Sequence, residues 1–382
     1  MKKQFYLVFG AFGLLLSVIF ASCSSNTASN SDSQFVEVSL HYARLFKVFK
    51  SNDVTRIDLV NPWDTTTMMT RYYLVPAGAK KSFEPKDGIV VEVPLKSMAC
   101  AFATEVSSAE ELGLLDAIVG VSEKRYINNT YVRSRLDSGL VTDIGPSMSV
   151  DLEKLIKISP DIFFVSPFKD NKYGPIEASG ISLGMISGYL ETHPLGRAEW
   201  LKFMALFFGK EKVADSSFTQ MELRYNSLAE KARSASYKPT VISSKPYQGI
   251  WYVSPGNSYM AQLFADAGAS YIYADKRSQG PLPFDFETVY KDAVHADYWV
   301  VLENYPGNYT YKTMLEEYAP FGYFSAFKNR KVVFCNTYNS TYYDEGILKP
   351  DVLLSDLLKA FHPDLMADYV PVYFSMLESA KP

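Results

Sequence analysis

Apolar and polar positions along this 382-residue chain follow different rhythms in succession. From Phe35 to about Gly88 they tend to alternate, as in "FVEVSLHYARLFKVF", "VTRIDLVNPW" and "TRYYLVPAG". Turn residues at Asn61-Pro62 and at Pro76, Ala77 and Gly78 separate these runs. A period near two marks half-buried strands, so this stretch predicts a small β layer ahead of the main body.

From Ile89 short apolar runs alternate with segments at helical spacing. "IVVEVPL", "IVGVS", "VTDIG" and "ISLGMISG" read as strands, interleaved with helical "ACAFATEVSSAEELGLLDA" and "NNTYVRSRLDSG". "HPLGRAEWLKFMALFFG" has helical spacing too, and "KEKVADSSFTQMELRYNSLAEKARSAS", charge-rich and free of Gly and Pro, predicts a long mid-chain helix. After Lys238-Pro239 the alternation resumes, with "TVISSKPY", "IWYVSP", "YWVVLENY" and "KVVFCNTYN" as strands. "SYMAQLFADAGA", "KTMLEEYAPFGYFSAF" and "KPDVLLSDLLKAFHPDL" are the helices between and after them. Strand–helix alternation implies parallel sheets covered on both faces. The expected fold is α/β: two Rossmann-like lobes with parallel-rich sheets, 35–209 and 237–382, joined by one α-helix within 210–236. The extra β layer, 35–88, belongs to the first lobe. A single connecting helix without Gly or Pro also predicts little hinge motion and a largely pre-formed cleft.

Composition narrows the function. Hydrophobic residues make up 47% of the chain, enough for real cores. A net charge of −4 gives no basic face for nucleic acid. Lys2 and Lys3 precede the apolar stretch "FYLVFGAFGLLLSVIFAS", which reads as a signal peptide over 1–22. "FASC" is similar to the lipobox of bacterial lipoproteins, with Phe20 where Leu is usual, and implies lipidation of Cys23. The polar run that follows, 23–34, would be a tether, leaving the mature protein on the extracytoplasmic side of a membrane. No second segment is long and apolar enough to span a bilayer. Cys100 and Cys335 are too few for a disulfide framework, and whether they pair stays open.

Two stretches repeat one design. "SVDLEKLIKISPDIFFV" and "FDFETVYKDAVHADYWVVL" each open with an acid, one residue, then a glutamate, and each feeds a short amphipathic segment into a strand. Together with "IVGVSEKRY", "DIGPS" and "MAQLFADAGASYIYAD", in order and spacing, they resemble the periplasmic binding proteins for vitamin B12, haem and ferric siderophores. The resemblance covers roughly Ile89 to Leu365; 35–88 lies outside it. It implies that Glu153 and Glu287, one per lobe, dock into arginine-bearing pockets on the two halves of an ABC permease coupled to its ATPase. It also implies a monomeric receptor. A carboxylate in the first turn of a helix is favoured by the helix dipole and pairs bidentately with arginine.

In open α/β sheets ligands bind beyond the carboxyl ends of the strands. The candidates there are Met98, Phe102, Pro146, Ser147, Met148, Phe168 and Tyr189 in the first lobe. In the second they are Tyr247, Trp251, Tyr252, Arg277, Tyr305, Tyr338 and Tyr342. Aromatic faces suit a bulky ligand and Arg277 an anionic one. A ferric siderophore is the expected ligand, with cobalamin or haem as alternatives. Of the histidines, His193 follows a predicted strand end, while His295 and His362 read as packing or capping residues and His41 stands apart. No metal site or cofactor is expected from them, although Tyr or His coordination of haem iron stays open. The chain has no H-E-x-x-H or phosphate loop, and Asp285/Glu287 and Asp344/Glu345 read as solvated charges. A binding protein is therefore expected rather than an enzyme, a cell-envelope enzyme being the remote alternative. A surface lipoprotein without its own permease would have no need of both glutamates.

Overall fold

Alternation at the N-terminus builds a five-stranded sheet: β1 (Val36–Val38), β2 (Phe46–Ser51), β3 (Val54–Val60), β4 (Met68–Pro76) and β5 (Ile89–Val93), in that order. The first four run antiparallel, and β5 joins parallel to β4 with Tyr72 opposite Ile89. The computed structural model describes residues 35–80, 83–169 and 173–378, so the expected signal peptide, Cys23 and the expected tether lie outside the described residues. "IVVEV" therefore closes the β layer instead of opening the α/β alternation. Only Val91 in it is buried, the pattern of an edge strand, whereas a central parallel strand is covered on both sides. One face of this layer, carrying Phe46, Val48, Ile57, Leu59, Tyr72, Leu74 and Val91, enters the main core. The other face is charged: Arg71 donates to Asp58 at 2.6 Å and to Asp87 at 2.8 Å.

The first lobe's sheet contains β6 (Met98–Cys100), β7 (Ile118–Val121), β8 (Thr142–Asp143), β9 (Ile162–Val165) and β10 (Leu183–Met185). All pair in parallel, in the order β10-β9-β6-β7-β8. The crossovers carry α1 (Ala103–Glu111), α2 (Thr130–Asp137), α3 (Leu152–Ile158) and α4 (Gly174–Ala178). Period-two geometry divides the strands between two cores. Met98, Cys100, Ile162 and Phe164 face the main core, while Ala99, Ala101, Phe163 and Val165 face a smaller one with Ile144 and Leu155. Burial on both faces is why these strands read as unbroken apolar runs.

Next come α5 (Pro194–Glu199), α6 (Leu201–Phe208) and the 23-residue α7 (Glu211–Arg233). The stripe Ala214, Phe218, Met221, Tyr225, Ala229 and Ala232 recurs every three or four residues and is buried along the whole length of α7.

The second lobe has β11 (Thr240–Ser243), β12 (Pro246–Tyr247), β13 (Ile250–Val253), β14 (Ser270–Tyr271), β15 (Leu282–Phe284), β16 (Tyr298–Glu303), β17 (Val332–Asn336) and β18 (Ser375–Met376). Its helices are α8 (Tyr259–Asp266), α9 (Phe286–Ala293), α10 (Tyr311–Glu317), α11 (Ser325–Lys328), α12 (Tyr342–Glu345) and α13 (Pro350–Phe361). The main sheet runs β14-β11-β16-β17-β18, parallel except for β18 at its edge. β12, β13 and β15 form a separate antiparallel sheet. One continuous core, from Ala43 to Leu377, runs through both lobes. Long helix α7 packs on α6 at one end and on α13 and α8 toward the other, and α1 lies against α12 across the lobe boundary.

Candidate functional site: twin acidic helix starts and the lobe boundary

The two repeated stretches fold alike. Asp151 caps α3 by accepting the Lys154 amide at 3.1 Å, and Asp285 caps α9 by accepting the Thr288 amide at 2.7 Å. These hydrogen bonds hold both aspartates below the usual carboxylate range. Two residues after each cap, Glu153 and Glu287 stand exposed in the first turn, and each helix leads into a parallel strand, β9 or β16. Glu287 also lines a depression of about 400 Å³ with Asp285, Phe286, Glu317, Tyr318 and Phe321.

Most of the remaining candidates sit at strand ends with their side chains at least partly reached by solvent. Pro146 and Met148 are exposed on either side of Ser147, whose amide and hydroxyl donate to Glu123 at 3.1 and 3.0 Å. Ser147 is thereby buried, a loop clamp rather than an open surface. Pro146 borders a depression of about 620 Å³ shared with Lys124, Arg125 and Arg133. Phe102 begins α1, and the Phe168 and Tyr189 rings lie 6.1 Å apart, with the Tyr189 hydroxyl donating to the Pro167 carbonyl at 2.6 Å. In the second lobe Tyr247, Tyr252, Arg277 and Tyr338 are exposed, and Tyr305 is half-buried against Tyr309.

Three candidates cannot face an open cleft. Met98 is 0% exposed and stands at the amino end of β6, away from the carboxyl ends of the strands. Trp251 is also 0% exposed, because it and Tyr252 are adjacent in a strand and must point to opposite faces. Its indole donates to the Ser243 carbonyl at 3.1 Å and stacks 5.4 Å from Trp299. Tyr342 is nearly buried, its hydroxyl 2.6 Å from that of Tyr259.

The histidines do not converge. His193 caps α5 by accepting the Leu195 amide at 3.1 Å, and burial holds its pKa low; His362 ends α13 near the Gly268 carbonyl; His41 pairs with Glu222; His295 is exposed. Among the described residues no three His, Cys, Asp or Glu side chains gather as a metal site. Cys100 and Cys335 are both buried and unpaired, in the sheets of different lobes.

Strand-end reasoning missed the residues where the lobes meet. Arg197, on α5, donates through Nε to the Glu191 carbonyl at 3.2 Å and through Nη2 to the Tyr189 carbonyl. Its guanidinium carbon lies 3.4 Å from the ring centre of Tyr259, at the start of α8 in the other lobe. Asn128 of the first lobe donates to Asp344 of the second at 2.6 Å, another link between the lobes. Gly256 fixes the loop ahead of Tyr259: a Cβ there would lie 2.0 Å from the Ala274 carbonyl oxygen. The signal in the sequence was "ETHPLGRAEW", a charged residue inside an apolar helical run. Glu191 and Glu199 in the same run are anchors for the β layer. Glu199 accepts the amides of His41, Tyr42 and Ala43, and Glu191 accepts those of Arg44 and Leu45 and the Trp200 indole.

Comparison with known proteins places this architecture. An uncharacterized lipoprotein of Methanocaldococcus jannaschii is 26% identical over 95% of this chain and 94% of its own length. That alignment leaves out too few residues for the N-terminal sheet to be missing from it. A periplasmic haem-binding protein of Pseudomonas aeruginosa superposes with a TM-score of 0.57 at 14% identity, covering 75% of this chain and all of that one. The structure of an ABC-type Fe3+-hydroxamate transport system from Saccharomonospora viridis gives 0.54 at 15%, covering 70% and 94%. Residues 98–338 match the profile of the periplasmic binding protein family, and across both lobes and the linking helix the chain belongs to that family.

Proposed function

We propose that the protein is the lipid-anchored receptor of an ABC importer, tethered through Cys23, which captures a ferric siderophore between its lobes and hands it to a permease. The observation that carries the delivery role is the pair of Asp-capped helix starts, one per lobe, that hold Glu153 and Glu287 in solvent. A two-fold permease offers two equivalent contact points, and a receptor built of two lobes meets it with one carboxylate on each. The proposal for the ligand rests on the exposed tyrosines Tyr247, Tyr252 and Tyr338 together with Arg277. Flat aromatic faces and a cation suit an intact, bulky and anionic chelate. Haem is the second reading, favoured by the fold shared with a haem-binding protein.

Calorimetry with ferric hydroxamate and catecholate siderophores, cobalamin and haem tests the ligand. Calorimetry reads the ligand contact itself, whereas the fluorescence of Trp251, 0% exposed, does not report contact directly. Binding of cobalamin alone would defeat the iron reading. Glu153→Ala and Glu287→Ala should each weaken binding to the permease about tenfold or more while leaving ligand affinity unchanged. Loss of ligand binding in either variant would instead make that glutamate a cleft residue.

A further inference from the structure

The second lobe is electrically polarised along its strands. β16 ends at Glu303 and β11 leads into Lys245, which pairs with Glu303 at 3.1 Å and Glu317 at 2.6 Å. Asp285 and Glu287 line the same depression as Glu317, so this edge sets four carboxylates against one cation. The opposite edge, where the strands begin, is basic. Lys238 precedes β11, Arg330 and Lys331 precede β17, and Lys328 ends α11 just before them. Parallel pairing sets Val241 opposite Tyr298 and Trp299 opposite Val332, so the starts of β11, β16 and β17 line up. Neighbouring strands lie about 4.8 Å apart, and the six residues of β16 hold the two edges about 17 Å apart.

Ion pairing does not neutralise the basic edge. The ion-paired cations of the second lobe are Lys245, Lys276, Lys312 and Lys349. Among the described residues no carboxylate comes within ion-pair distance of Lys238, Lys328, Arg330 or Lys331. The first three are exposed and Lys331 is half-buried. Two of the cations rest on rings instead. The Arg330 guanidinium carbon lies 4.4 Å from the ring centre of Tyr311, and the Lys331 Nζ lies 4.9 Å from that of Tyr298. A ring face positions a cation without cancelling its charge. Asp297, the acid at these strand starts, feels Lys331 but spends its Oδ2 on the amide and hydroxyl of Thr240, at 2.8 and 2.7 Å. Arg330 also has a φ of 57°, in the left-handed region that a side chain enters at a cost. Crowded like charges and a strained backbone both oppose folding, which points to a benefit outside the chain.

An anionic bilayer surface supplies it. A row of cations along one edge meets such a surface with all its members at once, and each adds to the attraction. The same field repels the acidic edge, so the lobe turns its basic edge to the membrane and its Glu287 edge away. We propose that Lys238, Lys328, Arg330 and Lys331 form a docking edge for an anionic membrane surface, which holds the anchored protein with its Glu287 edge turned outward until the permease takes it. This inference draws on the membrane attachment proposed above and adds a resting orientation to it. The test omits the lipid, so the two fail separately.

The mature protein carrying Cys23→Ser is co-sedimented with vesicles of phosphatidylcholine alone, or of phosphatidylcholine and phosphatidylglycerol in equal parts. Binding to the mixed vesicles should be at least about tenfold tighter than to the neutral ones, and high salt should abolish the difference. Lys238→Gln with Arg330→Gln should remove about tenfold of that preference. Lys238→Arg with Arg330→Lys, which keeps both charges, should retain it. Lys47→Gln with Lys50→Gln takes the same charge from exposed positions of β2 and should change the preference less than about twofold. Thermal unfolding checks that each variant is folded. A fluorophore on Asn329→Cys should be quenched by nitroxide lipid in the mixed vesicles, and one on Tyr247→Cys, beside the Glu287 edge, should not. Equal binding to both kinds of vesicle, or a preference untouched by the Lys238 and Arg330 changes, would overturn the inference and leave the receptor reading intact. Quenching at position 247 in place of 329 would overturn the orientation, and the inference with it.

Discussion

Buried carboxylates do much of the fastening in this molecule. Glu199 and Glu191 hold the 41–45 segment, and Asp356 accepts the amides of Val372, Tyr373 and Phe374 and the Tyr369 hydroxyl, securing the C-terminal segment. Each carboxylate answers donors that would otherwise be left unpaired away from water. Glu105 is the odd member. It is fully buried, accepts the Phe102 amide at 2.7 Å, and burial pushes its pKa up to about 8 from 4.5. Between those values the folded protein keeps a proton that the unfolded chain has released, so Glu105 lowers stability as pH rises through that window. Glu105→Gln has no such titration. Urea unfolding at about pH 5 and about pH 8 should show the variant gaining on wild type at the higher pH. A stability difference that stays constant would mean that Glu105 is not protonated in the folded state.

At the scale of elements, α7 carries the connection between the lobes. Its buried stripe should make the two faces of the helix differ sharply in sensitivity. Phe218→Ala, at a site 1% exposed, should cost about 3–5 kcal/mol. Leu223→Ala, on the exposed face of the same helix, should cost within about 0.5 kcal/mol. Chemical denaturation of the two variants measures both, and equal costs would contradict the packing of α7. The long helix, the twin Asp-x-Glu starts and the strand–helix alternation were all legible in the sequence, because spacing and capping are local properties. The assignment of "IVVEV" to a sheet was not. Which neighbour a strand pairs with depends on partners that lie elsewhere along the chain, and β5 found β4 instead of the first-lobe sheet.

At the scale of the molecule, the two lobes share one core and touch directly at α1–α12 and α5–α8. Opening them would break those contacts and bend α7, which has no glycine or proline to act as a hinge. The lobes should therefore move little on binding. Small-angle scattering curves with and without a saturating ligand should nearly superimpose, and a clear drop in radius of gyration would overturn the rigid-connection argument.

The sequence by itself determined the α/β class, the mid-chain helix and the two acidic helix starts, since hydrophobic period and N-capping are written in neighbouring residues. It also placed most of the strand-end candidates, from Pro146 to Tyr338, at positions that solvent reaches. Only the tertiary structure decided which side of a strand is inside. It turned Trp251 into the core and left Tyr252 out, and it buried Met98 at the wrong end of β6. It also brought Arg197 against Tyr259, a pair 62 residues apart in the sequence. A side chain's direction follows from strand register, and a contact between lobes follows from how two cores fuse; neither is a property of any short stretch of chain.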